Sequence, residues 1–159
     1  MLAKIFCFFI LILGFEVNGQ QNSSVNYTLF VDQIIASFAK AVEQEFGLVC
    51  IGDGGKMPYD VEEIEVIFIA YQNASVEQAR ELEIKITEKL VKAINLNDKI
   101  RPYLREYPFG SNRAKVSISF RKGDNSCYKD GSVVQVFQAK NRIFYRGESV
   151  LTQERISLG

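Results

Sequence analysis

Asp53, Asp60 and Glu63, with Glu62 and Glu65 beside them, are the residues whose type and spacing could do chemistry. A pair of carboxyls facing each other across a sugar, one protonated and one ionised, is what glycoside hydrolysis requires. The same oxygens could attract calcium, but the ligand spacing of an EF-hand loop is absent. Glu63 and Glu65 also alternate with Ile64 and Val66, which sets both on the polar side of a strand, where charge serves solvation. Gly52-Asp53-Gly54-Gly55-Lys56 matches a phosphate-cradling loop only in its glycines. No Ser or Thr follows Lys56, and Met57-Pro58 stands where a helix should start. A tight strand-to-strand turn is expected there. The chain has no histidine, so nucleophile–imidazole catalysis and the usual zinc sites are excluded. These residues make no coherent catalytic set, and no metal or cofactor is expected.

A second cluster suits recognition better than catalysis. Between Arg101 and Phe109 the chain packs Arg101, Pro102, Tyr103, Arg105, Tyr107, Pro108 and Phe109 into nine residues. Such a mixture of aromatics and arginine is common at binding surfaces. It reads two ways: an ordered loop presenting Tyr103, Tyr107 and Phe109 with Arg101 or Arg105 gripping an anion, or a rigid corner whose aromatics seal the core. Charge is also unevenly spread. Residues 43–89 carry eleven acids and four bases, whereas residues 99–146 carry eleven bases and three acids. Arg113, Lys115, Arg121, Arg142 and Arg146 could therefore form a basic sheet face that attracts a polyanion. Alternatively, Glu63 and Glu65 could lie beside that basic strand and cancel its field.

Apolar spacing predicts the elements that hold these side chains. Tyr27–Phe46 repeats Phe30/Val31, Ile34/Ile35, Phe38, Val42 and Phe46 at helical period, and Gly47 supplies the stop. Leu48–Ile51 is a short apolar strand, and Val61–Tyr71 alternates as a longer one. Ser75 followed by Gln78 is a capping box that opens a second helix, with Ala79, Leu82, Ile86, Leu90 and Ala93/Ile94 on one stripe. Asn97 or Asp98 caps a short helical turn at Arg101–Leu104. Ala114, Val116, Ile118 and Phe120 alternate in a third strand, and Ser132–Gln138 with Arg142–Arg146 form a hairpin across Ala139-Lys140-Asn141. The order α-β-β-α-β-β-β predicts an α+β domain, two helices on one face of a mainly antiparallel sheet of about five strands.

Residues 1–19 set the expected compartment. Lys4, the apolar run Ile5–Phe15 and Val17-Asn18-Gly19 follow the charged, apolar, small-residue order of a secretory signal. The apolar run is too short to span a bilayer as a helix. Cleavage would leave residues 20–159 as a single domain without a transmembrane anchor, loose at 20–25 and 152–159. In an oxidising compartment Cys50 and Cys127 could pair, stabilising the fold by roughly 4 kcal/mol, or could remain apart as a buried and an exposed thiol. Asn22, Asn26 and Asn73 begin Asn-x-Ser/Thr triplets, glycan acceptors only in a eukaryotic pathway.

The segment around Asn95–Phe109 (INLNDKIRPYLREYPFG), with GDGGKM before it and AREL in the second helix, resembles small uncharacterised exported proteins of intracellular, chlamydia-like bacteria. The likeness covers most of residues 35–146 and implies a bacterial, periplasmic or secreted setting; it carries no functional residue. The expected function is a non-enzymatic exported domain that binds a protein or envelope component. Its expected contacts are Arg101, Tyr103, Arg105, Tyr107 and Phe109, beside the basic face of Arg113, Lys115, Arg121, Arg142 and Arg146. A carboxylate-dependent hydrolase and a polyanion-binding module are the alternatives.

Overall fold

The computed structural model describes residues 27–128 and 132–147, and residues 151–155 as backbone. The apolar leader, the expected loose segment 20–25 and the triplets at Asn22 and Asn26 lie outside the described residues. The chain runs α1 (Tyr27–Phe46), β1 (Val49–Lys56), β2 (Glu63–Ala70), α2 (Val76–Asn95), a 3-10 turn (Arg101–Tyr103), β3 (Ala114–Phe120), β4 (Gln135–Ala139), β5 (Arg142–Arg146) and β6 (Leu151–Arg155). The fold is α+β, with two helices on one face of a sheet whose strands lie side by side in chain order. Every neighbouring pair is antiparallel except β2 and β3, which run parallel. Parallel neighbours cannot be joined by a hairpin, so α2 forms the crossover between them.

Both helices arise from local chemistry. α1 buries Val31, Ile34, Ile35, Phe38 and Val42. It ends at Gly47, whose φ of +68° suits glycine and whose N–H donates to the Glu43 carbonyl at 2.9 Å. At the start of α2 the Ser75 hydroxyl accepts from the Gln78 N–H, and the Gln78 side chain accepts from the Ser75 N–H. Two orphan donors are satisfied reciprocally. Ala79, Ile86, Leu90 and Ile94 then face the sheet.

The centre of the core is the β2–β3 pair. Ile64, Val66, Phe68 and Ala70 stand beside Ala114, Val116, Ile118 and Phe120 respectively, and all eight are buried. Phe38 of α1 meets Phe68 edge-on at 6.0 Å. Across β4 and β5, Val136, Ile143 and Tyr145 extend the same layer. The β4–β5 hairpin turns on Lys140 and Asn141, whose φ values of 50° and 57° are the left-handed pair of a two-residue type I′ turn.

Several boundaries differ from the sequence expectation: β2 spans Glu63–Ala70 rather than Val61–Tyr71, and β4 spans Gln135–Ala139 rather than Ser132–Gln138. β1 does not stop at Ile51; it continues through Gly52–Lys56, with Ile51 bulged out between the pairs Cys50–Phe68 and Gly52–Ile67. Glycine gives no alternating side-chain signal, so the extension is invisible to periodicity. At Gly55 a Cβ would stand 2.1 Å from the Glu63 carbonyl oxygen, so only glycine permits the strands to close. The expected loose tail from residue 152 instead begins as β6, whose Leu151–Arg155 pair antiparallel with Arg142–Arg146.

Ser75→Ala removes half of the capping box and is expected to lower the unfolding free energy by about 1 kcal/mol in urea titration.

Candidate binding surface

The Arg101–Phe109 segment is built chiefly as a corner. Val61 donates its N–H to the Tyr103 carbonyl at 2.8 Å and accepts from the Arg105 N–H at 3.1 Å. Asn95, at the end of α2, accepts from the Phe109 N–H at 2.7 Å and donates back to its carbonyl at 3.0 Å. Phe109 is therefore core rather than contact surface, at 1% exposure. The Tyr103 ring stacks on Tyr27 at 5.6 Å and tilts against Phe30 at 6.1 Å. Tyr107 is exposed, with the Arg101 guanidinium 4.8 Å above its ring. Of the proposed aromatic contacts, only Tyr107 is well exposed.

Most of the proposed cations already have partners. Arg101 pairs with Asp98 at 2.6 Å, and Arg105 with Asp60 at 3.0 Å and Glu62 at 2.6 Å. The Asp60 hydrogen bond, foremost, holds the Arg105 guanidinium above its already high pKa. Arg113 pairs with Glu106 at 3.0 Å and donates to the Glu62 carbonyl at 3.2 Å. Arg121 donates to the carbonyls of Phe120 and Val134 and to the Cys127 sulfur. Lys115 donates to the Asn112 carbonyl and stands beside Glu65 in the parallel register. Burial lowers the Lys115 pKa, with Glu63 opposing that shift. The acidic and basic halves thus meet along β2 and β3, where neighbouring opposite charges neutralise each other. Arg142, half-buried, and Arg146, exposed, lie on β5 at the far flank.

The carboxylates proposed for hydrolysis are dispersed. Asp53 is on β1, Asp60 is bound by Arg105, and Glu63 lies opposite Lys56. Cys50 and Cys127 are both free, a correction to the proposed disulfide. Cys50 belongs to edge strand β1 and contacts the Gly52 carbonyl, whereas Cys127 follows β3 and meets Arg121.

Sequence reasoning missed the side of the sheet that neither described helix covers. Side chains alternate between faces, and the helices take one of them. On the other, Ile67, Ser117, Phe137 and Phe144 form one continuous row across β2, β3, β4 and β5. Ile69, Ser119, Gln135 and Arg146 form the next row. The Phe137 and Phe144 rings stack at 5.4 Å with planes 12° apart, and the Gln135 amide donates to the Ser117 hydroxyl at 3.0 Å. Ile67, Ile69, Phe137 and Phe144 are half-buried, and among the described residues neither helix lies over them. The signal was present in Val66-Ile67-Phe68-Ile69-Ala70, because an unbroken apolar run marks a strand that is apolar on both faces.

Glu83 was also missed. It sits on α2 four residues after Ala79 and three before Ile86, which places it on the apolar stripe, and it is 1% exposed. Burial pushes its pKa from 4.5 to about 7, opposed by the Thr87 hydroxyl donating at 3.0 Å and by Lys115. Nearby, Arg80 donates to the Tyr145 hydroxyl at 3.2 Å. On the helix side, a groove of ≈ 570 Å³ between α1 and α2 is lined by Ile34, Phe38, Ala93 and Leu96, with Lys89 and Lys92 at its rim. Among the described residues no helix is long and apolar enough to cross a membrane.

Comparison of the chain with protein-family models, curated proteins and solved structures finds no match.

Two outcomes are expected. Phe109→Ala should cost about 3–5 kcal/mol as a fully buried aromatic, whereas Tyr107→Ala should change stability by less than about 0.5 kcal/mol, both read from urea midpoints. Glu83 keeps its proton in the folded chain up to about pH 7 but loses it near 4.5 when unfolded. The unfolded state then holds fewer protons between those values, so stability falls as pH rises through this window, by up to the order of 3 kcal/mol. Glu83→Gln should flatten that fall and leave the variant more stable than the parent at pH 8.

Proposed function

We propose that the chain is an exported, non-enzymatic interaction domain that binds a protein or envelope component in the periplasm, at the envelope or outside the cell. The observation that carries this reading is the row Ile67–Ser117–Phe137–Phe144, apolar except for Ser117, with Ile69 beside it, on the sheet face that no described helix covers. A solvated antiparallel face ordinarily alternates apolar inside with polar outside. Here large aliphatic and aromatic groups, half-buried, stand on the outside, and apolar groups gathered on a solvent-facing surface are characteristic of contact surfaces. The leader-type residues 1–19 support the export part of the proposal, and the lack of histidine favours binding over catalysis. This reading moves the contact surface from Arg101–Phe109 to the sheet.

The polyanion-binding alternative retains Arg142 and Arg146, but its remaining cations are engaged with carboxylates, carbonyls or sulfur. The hydrolase alternative has Asp60 committed to Arg105.

The combined variant Ile69→Ser, Phe144→Ser should lose the partners that the parent protein captures from envelope and secreted fractions of its own cell, as read by mass spectrometry. Circular dichroism and melting should stay close to the parent. Undiminished capture by the folded variant would overturn the reading.

A further inference from the structure

The open face is laid out so that it complements itself. Glu65 and Lys115 are neighbours, and the same row continues through Ala139 to Arg142, two residues past Phe137 and two before Phe144. Within the four central strands, Glu63 and Glu65 on β2 therefore lie on one side of the apolar groups and Arg142 and Arg146 on β5 on the other, with β1 and β6 outside them. A face with acid on one flank and base on the other is matched by its own copy turned through 180°, the isologous arrangement of a two-fold dimer.

We infer that this face is the contact between two copies of the chain, related by a two-fold axis parallel to the strands between β3 and β4. This inference rests on the proposed role of the open face and names its occupant. Turning about that axis keeps each row at its own height and exchanges β2 with β5 and β3 with β4. Glu65 then opposes Arg142 of the second copy, Ile67 opposes Phe144, Ser117 opposes Phe137, and Ile69 meets the aliphatic stem of Arg146. Each pair occurs twice. Two sheets stacked about 10 Å apart and within about 30° of alignment, as in a β-sandwich, bring these rows into contact. Four strands at this spacing offer a patch roughly 20 Å on a side, at the small end of specific interfaces, so the dimer should exchange with monomer and depend on concentration.

The test uses the chain in the form the expressing cell accumulates, studied by sedimentation velocity over a wide concentration range. The parent should shift from monomer to dimer. Glu65→Arg alone and Arg142→Glu alone each oppose like charges at both symmetric positions and should weaken the dimer about tenfold or more. The combined variant Glu65→Arg, Arg142→Glu should regain it. An equimolar mixture of the two single variants should form a heterodimer, because both of its cross-pairs are Arg with Glu; added salt should weaken that preference. Circular dichroism should show all variants folded. A parent that stays monomeric at the highest concentration would overturn the second-copy inference, as would single variants that dimerise like the parent or a mixture without preference. The reading of the face as a contact surface fails separately, by undiminished partner capture when Ile69 and Phe144 are replaced.

Discussion

The parallel seam between β2 and β3 is the constraint from which the remaining structure follows. Seven consecutive residues of β2, Ile64 to Ala70, stand beside Ala114 to Phe120 without a shift. Parallel strands cannot be connected by a tight turn, so a long crossover must leave the end of β2 and return to the start of β3. α2 and the corner after it supply that path. Asn95 fastens the corner through both backbone groups of Phe109, and Val61 fastens it again through Tyr103 and Arg105. The aromatic and proline-rich segment is thus the fitting that returns the chain to the sheet at the correct height.

The seam also settles where the charges go. The acidic stretch, residues 43–89, contains β2 and the basic stretch, residues 99–146, contains β3, so one strand pairing sets Glu65 beside Lys115. A sequence with opposite charge in its two halves could give a molecule with a strong field. Lateral pairing instead confines most of that charge to short-range contacts, and leaves acid on one flank of the open face and base on the other.

The parts of the fold legible in sequence were those whose signals are local. α1 follows from the spacing of Val31, Ile35, Phe38 and Val42, α2 from Ser75 and Gln78, and the hairpin from Lys140-Asn141. The parts that were not legible depend on partners distant in the chain. Gly52–Lys56 becomes strand because β2 pairs with it, and Gly55 is required by the Glu63 carbonyl rather than by its own neighbours. Phe109 and Tyr107 have similar surroundings in sequence; only the clamp from Asn95 separates the buried one from the exposed one. Glu83 lay in plain view on an apolar stripe, but a stripe drawn from apolar residues alone passes over it. The candidate site was the least legible feature, because a row running across four strands has no counterpart along the chain.

The two-residue loop at Lys140-Asn141 carries a consequence for how this protein can vary. Strand side chains have a strict parity, and loop length fixes which parity β5 inherits from β4. A single-residue insertion there must either be absorbed as a three-residue bulged loop or slip the pairing by one, and the slip would turn Ile143 and Tyr145 towards water and drive Arg142 and Phe144 against the helices. Length changes at this tip are therefore restricted in a way that its exposed position would not suggest, whereas exchanges of residue type that accept a left-handed backbone are free.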